Sequence, residues 1–98
     1  MFTNTFYTLT IVGGSIVGIN LILYTMNIKE KFGHKVKSLR ELKGISIEHL
    51  ANISNVDRNY ISDIEKGKRN VSITIMEKII HALDVDFTIF FNDKNFKK

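Results

Sequence analysis

The side chains able to do chemistry are few in this 98-residue chain, and their spacing argues against catalysis. There is no cysteine, which removes disulfides, thiolate metal sites and thiol nucleophiles together and fits a reducing compartment such as the cytoplasm. His34, His49 and His81 fall on separate segments without metal-ligand spacing or a companion carboxylate motif, so surface or packing roles are expected and no metal site. Ser62 and Asp63 are adjacent, but side chains one residue apart do not face each other on a helix, and no base is positioned beside them. Gly13, Gly14 and Gly18 lack the Lys-Ser or Lys-Thr that completes a phosphate loop. No enzyme and no cofactor is expected. The chemistry left is electrostatic. The net charge is +4 and the pI about 9.4, which permits an anionic partner such as nucleic acid or a lipid surface. Residues 29–69 hold ten basic and six acidic side chains, whereas 70–98 hold four of each, so the whole surplus lies on 29–69.

Three parts of the chain would position those charges. Residues 1–27 form a leader that is uncharged and rich in apolar side chains. It is long enough to cross a bilayer as a helix, which needs about 20 residues, and Lys29, Lys31, Lys35 and Lys37 follow it as a cytoplasmic flank would. Two other readings stand beside this one. Gly13-Gly14 is a permissible two-residue hairpin turn between 8–12 and 15–19. Alternatively, Met26 is the natural start and the leader is translated upstream sequence. It is no standard signal peptide, because a positively charged first region is missing. Residues 28–91 form the second part, and 92–98 a short polar tail.

The middle part reads as five short helices with no strand. Ile28, Phe32, Val36, Leu39 and Leu42 recur at the period of one helical face, predicting a helix over 28–43 that Gly44 stops. Four later starts share one pattern: an apolar residue, a capping Ser or Asp, and a second apolar residue five positions after the first. These are Ile45-Ser46 with Leu50, Val56-Asp57 with Ile61, Val71-Ser72 with Met76, and Val85-Asp86 with Phe90. They predict helices over 47–54, 58–66, 73–83 and 87–91. The tight turn at Asn55, a residue that tolerates left-handed backbone, gives helices two and three the outline of a helix-turn-helix.

Leu50-Ala51, Asn55-Val56 and Ile61-Ser62-Asp63-Ile64-Glu65-Lys66-Gly67 together resemble the phage-repressor-like (XRE-type) helix-turn-helix family over 28–91. The run 57–72 is similar, more narrowly, to controller proteins of restriction-modification systems, small dimeric regulators that bind operator DNA. The resemblance implies a lambda-repressor-like, all-α fold in which helix three enters the major groove. By position, Arg58, Asn59 and Ser62 would then face base edges. Lys66, Lys68, Arg69 and Asn70 would reach phosphates, and Tyr60 either reaches one through its hydroxyl or packs inside. Arg40 and Glu65 would pair between helices one and three. Ile89 and Phe91 are expected at a two-fold interface of helices four and five, setting the recognition helices roughly 34 Å apart. Three positions depart from the family pattern: Ile47 where Gln is frequent, Asn55 where Gly is usual, and Asn59 in place of a frequent Thr.

These readings converge on a cytoplasmic, homodimeric transcriptional regulator that binds a near-palindromic operator and acts by occupying DNA or recruiting RNA polymerase. The rivals are a membrane-tethered protein-interaction module and an antitoxin-like adaptor that binds both DNA and a protein.

Overall fold

The computed structural model describes residues 26–97, and the three readings of the leader fall on residues 1–25, outside them. The described residues form five α-helices and one 3-10 turn, with no strand among them: α1 (Ile28–Leu42), α2 (Ile47–Ser54), α3 (Arg58–Glu65), α4 (Ile73–Ala82), α5 (Phe87–Phe91) and a turn at Lys94–Phe96. The predicted helices one, three and four each end one residue sooner, because Lys43, Lys66 and Leu83 serve as C-caps.

Every helix start is held by a side-chain oxygen. Ser46, Ser72 and Asp86 accept the backbone N–H three residues on, and Asp57 accepts those of Asn59 and Tyr60. Such caps are worth about 1 kcal/mol each. The first helix has the most complete cap. Asn27 Oδ1 accepts from Glu30 N–H while Glu30 Oε1 accepts from Asn27 N–H, both at 3.0 Å, a reciprocal box that the sequence pattern contains but that the apolar spacing did not single out.

The core gathers Phe32 and Val36 from α1, Leu50 and Ala51 from α2, Ile61 and Ile64 from α3, Ile79 and Ile80 from α4, and Phe90 from α5. Burying each large side chain contributes roughly 1.5–3 kcal/mol. The apolar face expected of helix one is buried only in its middle: Ile28 and Leu42, at its two ends, are 62% and 82% exposed. The faces of α2 and α3 that meet α1 and α4 are thereby fixed, and their opposite sides are left to solvent.

Two close approaches set the position of α3. Asn55 takes φ 58° and ψ 40°, the left-handed turn expected of it, and its N–H closes α2 on the Ala51 carbonyl. Gly33, in the middle of α1, lies against the backbone of α3. A Cβ built there would stand 1.9 Å from the Ile64 carbonyl oxygen, so only glycine lets the two helices cross at this distance. The tail after Phe91 folds back rather than running into solvent. Asp93 caps the 3-10 turn, its carboxylate accepts from Lys35 Nζ of α1 at 2.9 Å, and Phe96 packs edge-on to Phe91 at 4.8 Å between ring centroids.

Candidate nucleic-acid interface

The candidate surface runs along α3 and the loop after it. Asp57 Oδ2 accepts from the N–H groups of Asn59 (2.9 Å) and Tyr60 (3.2 Å), which opens α3 with its first side chains turned to solvent. Arg58 and Asn59 are exposed there and Ser62, one turn on, is half-buried. Buried Ile61 and Ile64 hold the opposite side of the helix. The outward row is therefore dictated by the inward one.

Beyond α3 the chain turns sharply. Gly67, at φ 74°, donates its N–H to the Ile64 carbonyl at 2.9 Å, and Lys68 N–H reaches the Asp63 carbonyl at 3.0 Å. This brings Lys66, Lys68, Arg69 and Asn70, all exposed, to the end of the same helix. Lys66 and Lys68 make no ion pair among the described residues. Arg69 is more constrained. Its guanidinium sits 4.6 Å over the Tyr60 ring, and its Nε lies 3.4 Å from Asp63 Oδ2. Half-buried Tyr60 thus packs and also seats a cation.

Arg40 and Glu65 form a two-pronged pair. Arg40 Nε donates to Glu65 Oε2 at 2.7 Å and Nη2 to Oε1 at 3.0 Å, while Nη1 donates to the Ile45 carbonyl at 2.9 Å. One guanidinium so joins α1, α3 and the loop into α2. The hydrogen bonds to Glu65 raise the Arg40 pKa further, against the opposing effect of burial, so the charge is permanent.

The apolar candidates separate. Ile89 is 59% exposed on α5, whereas Phe91 is half-buried, meeting Phe90 at 4.9 Å and stacking on Phe32 at 6.2 Å. Ile73, at the start of α4, is 75% exposed and was not singled out from sequence. Its position next to a cap gave no sign of which way it would face. Glu48 is a second residue missed: its Oε2 lies 3.8 Å from Arg58 Nε across the turn between α2 and α3. No sequence periodicity links those two. The three histidines are exposed, and among the described residues no three metal-ligating side chains come together.

Residues 36–90 match the protein family described as Helix-turn-helix, a span that contains all of α2, α3 and α4. The chain belongs to that helix-turn-helix family. Within it, the chain is 44% identical over 68 residues to control protein C.MunI of Mycoplasma sp, covering 68% of this chain and 92% of that relative. It is 47% identical over 75 residues to control protein C.BamHI of Bacillus amyloliquefaciens, covering 69% and 93%. Among solved structures, the restriction-modification controller protein C.AhdI from Aeromonas hydrophila superposes with a TM-score of 0.62 at 41% identity, covering 64% of this chain and 96% of that one. The controller protein C.Esp1396I, solved as a tetramer in complex with its natural 35 base-pair operator, superposes with a TM-score of 0.69 at 37% identity, covering 74% and 99%. This chain is therefore a helix-turn-helix protein of restriction-modification controller type, and its relatives are regulators rather than enzymes.

Proposed function

We propose that this protein is a homodimeric, sequence-specific transcriptional regulator that binds a near-palindromic operator in the cytoplasm. The observation that carries this is the arrangement of α3: capped by Asp57, anchored inward by Ile61 and Ile64, and offering Arg58 and Asn59 at one end and a basic loop at the other. Arg matches the paired acceptors of guanine and Asn the acceptor-donor pair of adenine, each worth about 1–3 kcal/mol of discrimination. Ser62 follows them along the groove. Lys66, Lys68, Arg69 and Asn70, with the Tyr60 hydroxyl, hold phosphates and set register. Ile89 and Phe91 join two copies so that both recognition helices face one side of the duplex, and RNA polymerase is a further partner once the operator is occupied. The tetramer-operator complex of C.Esp1396I supports this reading, as do the two control proteins. No helix among the described residues is long and apolar enough to cross a membrane.

A selection from randomised duplexes at fixed salt tests it. Arg58→Ala and Asn59→Ala should each relax preference at particular base positions, while Lys68→Ala should weaken all duplexes alike and reduce the salt slope by about 1. A protein with no preference, or a preference untouched by Arg58→Ala and Asn59→Ala, would refute the reading.

A further inference from the structure

Glu48 is an anion on a surface proposed to meet a polyanion. It stands in the first turn of α2, and its carboxylate faces Arg58 across a cleft that Ala51, Asn55 and Val56 also line. The other acid of that cleft, Asp57, already accepts two backbone N–H groups of α3, so Glu48 is the carboxylate that the Arg58 guanidinium answers to. At 3.8 Å the contact is an ion pair without a direct hydrogen bond, which leaves all five donors of Arg58 for a ligand. Resting on the function proposed above, we propose that Glu48 is a specificity-determining residue: its charge beside Arg58 weakens the grip of that guanidinium on phosphate.

The argument is one of differences. Specificity is the gap between the right duplex and all others, and it widens when the others are penalised. A guanidinium binds phosphate at any sequence, and the gain depends on its charge. An acid alongside offsets part of that charge for every duplex. Two-pronged bonding to guanine O6 and N7 depends on the placement of two N–H groups as well, so it loses less. The simpler role for Glu48 is that of a negative charge near the start of a helix, favoured by the helix dipole. That role predicts a change in stability and none in base choice.

The test uses the full chain, E48Q, R58A and the double variant. Each is measured on one duplex obtained by selection from a random library and one unselected duplex of equal length, with thermal unfolding of every variant as a fold check. E48Q should bind the unselected duplex about two- to fivefold more tightly, the scale of one exposed charge pair. The selected-to-unselected ratio should fall measurably, by up to that factor, and this fall should vanish in the R58A background. Three results overturn the proposal. An unchanged ratio in E48Q, where R58A does change it, leaves Glu48 as a helix-end charge only. A fall that persists in the R58A background makes Glu48 a direct contact to DNA. If R58A itself leaves base preference intact, the reading of α3 fails first and this one with it.

Discussion

Arg40 is the side chain whose loss of a partner should be felt most. It and Glu65 retain only 11% and 6% side-chain exposure, so neither charge has water to fall back on. Such a pair adds little net stability over a well-packed apolar pair, yet breaking it strands a charge. Glu65→Ala should lower unfolding free energy by about 3 kcal/mol in urea titrations, and Arg40→Met with Glu65→Leu should recover most of that loss. An equal loss in the double variant would mean that packing, not stranded charge, sets the cost. Asp93 makes a different demand, on pH. The Asn95 backbone N–H, and then Lys35, hold its carboxyl below the ordinary aspartate value of about 4. With the folded pKa depressed, the stabilisation is present above the unfolded value and is lost as pH falls through the folded one. Asp93→Asn should therefore lower the urea midpoint at pH 7, with the difference shrinking below about pH 4 and closing once Asp93 is protonated in the folded protein. A gap that stays constant into acid excludes this account.

Helices show where local pattern suffices and where it stops. The starts of α2 to α5 were legible because a cap and its flanking apolar pair lie within six residues, and all eight of those apolar residues are at least partly buried. The outward row of α3 was legible for the same reason, since the inward positions of Ile61 and Ile64 leave it no choice. Contacts between distant segments were not. Lys35 meets Asp93 across 58 positions, and the polar composition of the tail hides its return to α1. Gly33 reads in sequence only as a weak spot within a helix, because its reason for being glycine lies at Ile64. That reason gives a test with opposed signs. Helix propensity alone makes Gly33→Ala stabilising by about 1 kcal/mol, but the new methyl would overlap a backbone carbonyl at 1.9 Å. Overpacking costs about 1–3 kcal/mol where side chains can yield, and a backbone cannot turn aside as a rotamer does. Gly33→Ala should thus destabilise by about 2 kcal/mol or more in thermal or urea unfolding. A rise in the midpoint would show that α1 and α3 do not cross this closely in solution.

For the whole molecule the distribution of charge matters more than its sum. The basic surplus of 29–69 includes the loop at the end of α3, while the exposed apolar Ile73 and Ile89 lie on α4 and α5. The loop is the proposed seat of an anion, and Ile89 the proposed contact with a second copy. If Ile89 joins two copies, Ile89→Asp should shift sedimentation toward the monomer and cut affinity for a two-half-site duplex by at least about tenfold, since the second half-site no longer binds as part of one unit. Binding to a single half-site should change little. A dimer unaffected by Ile89→Asp moves the interface elsewhere. The crossing at Gly33 bears, finally, on how such a protein can diverge. Every single-base change in a glycine codon that alters the residue adds at least a methyl group, so no graded path leads away from this contact. If Arg58, Asn59 and Ser62 read bases as proposed, new operator preferences arise by exchange at those outward positions of α3, while its buried side and α1 descend together as one inherited piece.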